Sequence, residues 1–185
     1  MARRKYNECE VVDMKILTTQ ISGLLQRAGS NNEEAVEETA RLLAQATIGE
    51  GRVIFAGFGE MKAVGVNALF GAEPFHGAVQ FEEGMEIQSA DRVWLFTRSA
   101  TDERALDMAR MLSEKFIPFA VVAGDKANDE NELSDLAYTY MATGLVKGIL
   151  PGNDGGRIVE PHLLAALFLY EAVKMAYDEM IFEEE

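Results

Sequence analysis

Two segments of the sequence have residues suited to binding an anion: one combines glycines with a cation, and the other combines hydroxyl groups with a cation. One runs from Gly57 to Lys62 and the other from Thr97 to Asp102, and each lies between an apolar run and a helical pattern. Each is expected to lead into a helix N-terminus, where unpaired N–H groups and the helix dipole favour a phosphate. The residues predicted to bind the ligand are Gly57, Phe58, Gly59, Met61, Lys62, Thr97, Arg98, Ser99, Ala100, Thr101 and Arg104.

Simpler roles remain open for both segments. A Gly-x-Gly sequence after a strand is often only a tight turn, and Thr101 or Asp102 is a suitable N-cap for the following helix. The first segment is not a dinucleotide-binding fingerprint, because Lys62 stands where the third glycine would be. The sequence contains no Gly-Lys-Ser or Gly-Lys-Thr, which excludes a P-loop.

Two helices are predicted ahead of these segments. Apolar positions between Val12 and Ala28 recur at helical spacing, which predicts a helix over about residues 9–28 that ends at Gly29. Residues 30–32 offer an N-cap for a second helix, which extends to about residue 48. Both helices are expected to pack against the rest of the domain.

The apolar period then changes, and short unbroken apolar runs alternate with helical patterns. Strands are predicted at residues 53–56, 78–81, 93–96, 117–123 and 138–142, with helices over 60–70 and 101–116 and a long last helix that begins near Pro161. This alternation indicates βαβ units and a parallel sheet. The predicted fold class is α/β, a three-layer αβα sandwich with about five parallel strands. One domain is expected over residues 1–185, with the two leading helices at 9–48 and the α/β core at 51–181.

In such a sheet, ligands bind outside the carboxyl ends of the strands, at the point where the strand order reverses. The two glycine- and hydroxyl-bearing segments follow the first and third predicted strands. We therefore expect the sheet to bring them together at one edge. There they would form one binding site.

Composition limits the partners. The chain has 185 residues, with 17 Lys and Arg against 31 Asp and Glu, and a formal net charge of −14. Because this field repels nucleic acid and anionic lipid, neither is an expected partner. The apolar run from Leu163 to Tyr170 is too short to span a membrane, and no signal peptide is recognisable, so a cytoplasmic location is predicted. With Cys9, His76 and His162 as the whole supply of Cys and His, no metal centre and no cofactor are predicted.

The order of these elements resembles the sugar isomerase (SIS) domain family. Two leading helices followed by residues 52–59 (RVIFAGFG) look like the opening of such a domain. Residues 90–103 (ADRVWLFTRSATDE) are similar to the family's second strand and phosphate loop, and residues 116–123 (FIPFAVVA) to its next strand. Residues 133–138 (LSDLAY) look like its approach to the last strand. Within that family, the phosphoheptose isomerases resemble the chain most in size and layout. The alternative is that the chain belongs to an SIS-like branch from Gram-positive bacteria.

The resemblance implies a flavodoxin-like sheet, a homodimer or homotetramer, and a phosphorylated sugar or other small phosphate as the ligand. Isomerisation of such a sugar needs a base that moves a proton between neighbouring carbons. Glu60 is the best-placed carboxylate, and His162 matches by position a late histidine of the resembling enzymes, so both are predicted to be catalytic. A first-turn helix acid and a packed histidine are their simpler roles.

Three positions depart from the family's pattern. Met61 stands where the first loop of the family has serine, and Ala100 and Asp102 replace a glycine and a closing hydroxyl of the second loop. A carboxylate at Asp102 would repel a phosphate unless it turns away to cap the helix. Two hypotheses therefore stand: a phosphosugar-binding protein with aldose–ketose isomerase activity of phosphoheptose type, or a non-catalytic sugar-phosphate sensor or protein-interaction module with an altered SIS site.

Overall fold

The structure, a computed structural model, describes residues 14–128, 130–152 and 154–182. The predicted beginning of the first helix at residues 9–13, and Cys9 with it, lie outside the described residues. The helices are α1 (Met14–Ser30), α2 (Glu33–Ile48), α3 (Lys62–Phe70), α4 (Glu103–Glu114), α5 (Glu132–Leu136) and α6 (His162–Phe182). In the described ranges, no helix is long and apolar enough to cross a membrane.

Five parallel strands form the central sheet. They are β1 (Val53–Gly57), β2 (Ala78–Gln80), β3 (Arg92–Phe96), β4 (Phe119–Ala123) and β5 (Thr139–Ala142), in the order β2-β1-β3-β4-β5. The α/β fold class predicted from the sequence is confirmed. The strand order reverses between β1 and β3, so the loops that follow these two strands flank the switch point, where ligands bind in this class of sheet.

Both faces of the sheet are apolar because every central strand alternates between two buried sets of side chains. One face packs against α2, α3 and α6 through residues such as Phe55, Trp94 and Leu169. The other face packs against α4 and α5 through residues such as Ile54 and Leu106. This double coverage explains why the strands read as unbroken apolar runs in the sequence.

Five aromatic rings meet at the centre of the first face. The Phe55 ring lies 5.2 Å from Phe75, 5.6 Å from Trp94, 6.2 Å from Phe96 and 6.1 Å from Tyr170, measured between ring centroids. Side chains on β1, β3 and α6 and in the segment before β2 are thus joined through one residue. Phe55 is fully buried, so its contacts exclude water entirely.

The junction between α1 and α2 differs from the prediction. Helix α1 continues through Gly29 to Ser30, and the Asn32 side chain makes no capping hydrogen bond to α2. Buried Asn32 instead donates from Nδ2 to the carbonyl oxygens of Ala28 (2.6 Å) and Ala142 (2.9 Å), and its Oδ1 accepts from the Ala142 N–H (3.1 Å). The amide therefore ties the helix junction to the end of β5, a partner that lies 110 residues away and that local sequence could not reveal.

A buried carboxylate holds the opposite, amino-terminal edge of the sheet. Asp91 Oδ1 accepts from the Arg52 backbone N–H at 2.9 Å, Asp91 Oδ2 accepts from Arg52 Nη2 at 2.6 Å, and Oδ2 also accepts from the Gln88 N–H at 2.8 Å. Burial alone would raise the pKa of Asp91, but these hydrogen bonds outweigh it and hold the pKa below its ordinary value. The ionised carboxylate locks the residues that precede β1 and β3 to each other.

Two further elements correct the prediction. The helix predicted to reach residue 116 ends at Glu114, and Phe116 turns the chain at φ +55° with its side chain 91% exposed, so it is not part of the buried stripe. A small antiparallel hairpin, β6 (Leu150–Pro151) with β7 (Arg157–Ile158), lies before α6, where no strand was predicted. The side chains of Leu145, Ile149 and Leu150, in and just before this hairpin, pack with Leu24 of α1 and Ala165 of α6.

Candidate functional site

The β1–α3 loop turns sharply because two glycines permit it. A Cβ atom on Gly57 would lie 2.5 Å from the Met61 carbonyl oxygen and the Lys62 nitrogen, and Gly59 has φ +60°. A single 3-10 turn, Gly59–Met61, leads from β1 into α3. Met61 is only 1% exposed and anchors this turn in the core, so its side chain is not presented to a ligand, in contrast to the role predicted for it.

Side chains of the β3–α4 loop form hydrogen bonds to the backbone of the same loop and of α4. Thr97, predicted to be a ligand donor, is fully buried, and its hydroxyl donates to the Ser99 carbonyl at 3.2 Å. Asp102 caps α4, where its Oδ1 accepts from the Arg104 N–H at 3.1 Å. The carboxylate thus turns to the helix, as the capping alternative requires. The hydroxyls of Ser99 and Thr101 lie 3.0 Å apart on the outside of the loop.

An ion pair joins the two loops across the switch point. Arg98 donates from Nε to Glu60 Oε1 at 2.9 Å and from Nη2 to Glu60 Oε2 at 2.7 Å. The Arg98 guanidinium holds the pKa of Glu60 below its ordinary value, and the Glu60 carboxylate raises the pKa of Arg98. Both side chains are more than a third exposed, so the pair fixes loop geometry more than it stabilises the fold.

His162 lies at the same edge, at the first residue of α6. Its side chain is only 6% exposed, its Nε2 is 3.9 Å from Glu160 Oε2, and its Nδ1 has no hydrogen-bond partner among the described residues. Burial lowers the pKa of His162, and the charge of Arg98 lowers it further, against the opposing charges of Glu160, Glu60 and Asp125. The imidazole is therefore neutral at neutral pH, with one nitrogen able to accept a proton.

A cavity of about 550 Å³ opens on the other flank of the β1–α3 loop, at the carboxyl ends of β1 and β2. Phe58 and Phe81 contribute apolar surface, and the Arg104 guanidinium lies 5.7 Å from the centre of the Phe58 ring. Lys62 also lines the cavity, and its side-chain ammonium forms no hydrogen bond or ion pair within the described ranges. The volume suits a small organic ligand, and the two cations suit an anionic one.

The structure therefore places the predicted site residues in several separate sets. Gly57, Phe58, Lys62 and Arg104 line the cavity. Glu60, Arg98 and His162 form a cluster at the switch point, in which Glu60 and Arg98 are ion-paired and His162 is neutral. Gly59 lies in the 3-10 turn, and Ser99, Ala100 and Thr101 form the neighbouring loop. The side chains of Thr97 and Met61 belong to the interior. In the part of the chain that the structure describes, no group of three Asp, Glu, His or Cys side chains is arranged to hold a metal ion.

Several residues at these sites were missed in the sequence, among them Val66 and Glu83 of the cavity. Gln80 and Phe81 line the cavity, and Asp125 and Glu160 face His162. Asp125 follows β4 by two residues, so the rule that pointed to the loops after β1 and β3 could have found it. Glycines and hydroxyl groups are the residues that mark an anion-binding loop, and a carboxylate after the fourth strand does not belong to that pattern.

Comparison with solved structures places this fold among known ones. It is similar to a candidate phosphosugar isomerase involved in capsule formation from Bacteroides fragilis, with a TM-score of 0.61 and 14% identity over 91% of this chain and 94% of that one. It is also similar to the Vibrio vulnificus NanR protein complexed with ManNAc-6P, with a TM-score of 0.59 and 16% identity over 90% of this chain and 66% of that one. At these identities the likeness establishes an SIS-like fold.

Sequence comparison gives a nearer relationship. The chain is 30% identical over 171 residues to the uncharacterized protein YwjG of Bacillus subtilis, covering 92% of this chain and 98% of that protein. The model of the family described as a domain of unknown function, DUF2529, matches residues 14–181. The chain belongs to the DUF2529 family.

Proposed function

We propose that this protein binds a phosphorylated sugar in the cavity at the carboxyl ends of β1 and β2, with the phosphate between Lys62 and Arg104. The observation that carries the proposal is this cavity, where two cations and the single carboxylate of Glu83 adjoin aromatic surface in a chain of net charge −14. The Lys62 ammonium has no hydrogen-bond or ion-pair partner among the described residues, and the Arg104 guanidinium has a 3.5 Å contact to Asp102 and lies over the Phe58 ring. Both cations are thus available to a phosphate.

The rest of the cavity suits the sugar. The Phe58 and Phe81 rings offer apolar surface for the ring carbons, and the polar side chains of Gln80 and Glu83 line the same space. The solved structure of NanR with ManNAc-6P supports the choice of ligand class, because a protein of similar fold binds a phosphorylated sugar. A phosphoheptose is one member of the class and is one arm of the test.

Ligand-dependent thermal unfolding tests the proposal. We expect one sugar phosphate from a panel of hexose, heptose and amino-sugar phosphates to raise Tm by about 5–10 °C at 100 times its Kd, since that adds about 2.7 kcal/mol to a chain of this length. The double variant Lys62→Ala/Arg104→Ala should lose the rise. Lys115→Ala, which removes one positive charge at the amino-terminal edge, is the matched control and should keep it.

Two results would contradict the proposal. Either no member of the panel raises Tm, or the rise persists unchanged in the Lys62→Ala/Arg104→Ala protein. A rise that disappears in Arg98→Ala instead would move the phosphate to the switch-point cluster.

A second candidate function, sugar-phosphate isomerisation, is favoured by one observation: Glu60 and neutral His162 lie at the same edge and act on each other's pKa. In this alternative the sugar lies at the switch point and not in the cavity. Glu60, ionised beside Arg98, would take a proton from the carbon next to the sugar carbonyl and return it to the neighbouring carbon. The unpaired nitrogen of His162 would exchange a proton with a sugar oxygen.

Deuterium uptake into sugar phosphates in heavy water, followed by proton NMR, tests this second function. We expect Glu60→Gln to lower the exchange rate by about 10²- to 10⁴-fold, while the ligand-induced rise in Tm is kept. Glu37→Gln, an exposed carboxylate on α2, is the control and should exchange normally. If the unaltered protein binds but does not exchange, the isomerase candidate fails and the non-catalytic sensor takes its place.

A further inference from the structure

Three backbone N–H groups in the β3–α4 loop and the first turn of α4 already donate to the protein's own groups. The Ala100 N–H donates to Asp125 Oδ2 at 2.7 Å, and the Thr101 N–H donates to Ser99 Oγ at 3.3 Å. The Arg104 N–H is held by Asp102. A helix N-terminus binds a phosphate through just such N–H groups. Here the acceptor on Ala100 is already an anion, supplied by the loop after β4.

Hydrogen bonds to the backbone around Asp125 fix the position of this residue. Its backbone carbonyl accepts from the Tyr140 hydroxyl at 2.8 Å, and the Asn131 amide donates to that hydroxyl at 3.0 Å. The preceding residue, Gly124, donates from its N–H to the Arg98 carbonyl at 3.1 Å. A Cβ atom on Gly124 would lie 2.6 Å from that carbonyl oxygen, so the two loops approach as closely as backbone allows. The contact between Asp125 and Ala100 is therefore preorganised.

We propose that Asp125 is a specificity-determining residue: its carboxylate occupies the place of an anion on the β3–α4 loop and confines phosphate binding to the Lys62 and Arg104 cavity. The inference rests on the proposed function, because a phosphorylated ligand is what has to be directed. It also explains how the chain keeps an SIS-like fold while its phosphate loop departs from the family's pattern at Ala100 and Asp102.

Space and charge around Asp125 agree with this role. A second cavity, of about 360 Å³, adjoins Ala100, Thr101 and Asp125, so an anion has room on this side of the loop. Its lining also includes the cations Arg110 and Lys126 and the carboxylates of Glu103, Glu130 and Glu132, which are exposed and screened by salt. Asp125 differs from them because it contacts the loop N–H directly. Its removal frees the Ala100 N–H and leaves the Ser99 and Thr101 hydroxyls beside it.

Titration with inorganic phosphate, followed by isothermal calorimetry, tests the inference in the Lys62→Ala/Arg104→Ala background. Adding Asp125→Ala should tighten phosphate binding by about ten- to a hundredfold, the range of a charge-assisted hydrogen bond. Asp125→Asn is the matched control: its amide oxygen still accepts from Ala100, so the gain should be much smaller. Asp125→Ser, with a side chain one atom shorter, gives a second opening variant should the alanine variant fold poorly. Circular dichroism establishes folding of each.

The outcomes separate this inference from the proposed function. The role of Asp125 is overturned if all three Asp125 variants bind phosphate with the same affinity as the Lys62→Ala/Arg104→Ala protein. This holds whatever the cavity binds. A gain in the alanine and serine variants alone supports it. A gain there, in a protein whose Lys62 and Arg104 cavity binds no sugar phosphate, would keep the role of Asp125 in excluding anions and overturn the proposed function.

Discussion

Replacing Phe55 with alanine is expected to lower the free energy of unfolding by about 3–5 kcal/mol. The side chain is fully buried and contacts four other aromatic rings, so the truncation removes apolar burial and leaves a cavity at the meeting point of β1, β3 and α6. For a chain of this length the change corresponds to a fall in Tm of about 6–20 °C. Urea unfolding followed by tryptophan fluorescence measures it, because Trp94 packs against Phe55.

The same substitution at the surface is its control. Phe70, the last residue of α3, is 80% exposed, and Phe70→Ala should change the free energy of unfolding by no more than about 0.5 kcal/mol. Similar losses at the two positions would mean that Phe55 is not the centre of the core. An unchanged slope against urea would show that the loss is in stability and not in the denatured state.

Asp91→Ala is expected to cost about 3 kcal/mol at neutral pH. The change leaves the Arg52 guanidinium and two backbone N–H groups without their carboxylate, at a position only 3% exposed on the Asp91 side. Asp107→Asn on the exposed face of α4 is the control, since its ion pair with Arg110 is open to solvent. Its cost should stay below about 1 kcal/mol.

The cost of Asp91→Ala should also depend on pH with a defined sign. The pKa of Asp91 lies below its ordinary value in the folded protein, so its contribution is present above the unfolded pKa of about 4 and is lost as pH falls through the folded value. Urea titrations of both proteins from pH 7 to pH 2 should therefore converge only below about pH 4. A cost that is constant over this range would show that packing, not charge, explains the loss.

The strands could be predicted from sequence for a physical reason. The four longest are buried on at least one face throughout, and β1, β3 and β4 are buried on both, so their apolar runs are short, unbroken and bounded by turns. The ends of the elements were less predictable because they depend on distant partners. Asn32 resembles an N-cap in local sequence, but its amide pairs with β5, which is distant along the chain and leaves no trace in the local pattern.

The position of the site in the fold could be predicted from the sequence, but the contacts between its side chains could not. The rule for parallel sheets placed Glu60 and Arg98 at one edge, since the loops after β1 and β3 must meet there. Their ion pair, across 38 residues, follows from side-chain directions that no spacing encodes. The division of the predicted residues between cavity and cluster has the same origin: Lys62 and Glu60 are two positions apart on a tight turn and leave it in different directions.

The tie between Asn32 and Ala142 has a consequence for how the protein behaves at high concentration. β5 is the last strand of the sheet, and an uncovered edge strand offers a row of free N–H and C=O groups to any other chain. The Asn32 amide satisfies both backbone groups of Ala142, as the next strand would. The backbone groups of Ala142 are thereby unavailable to a foreign strand, so one side chain shortens the part of the edge that is open to edge-to-edge aggregation.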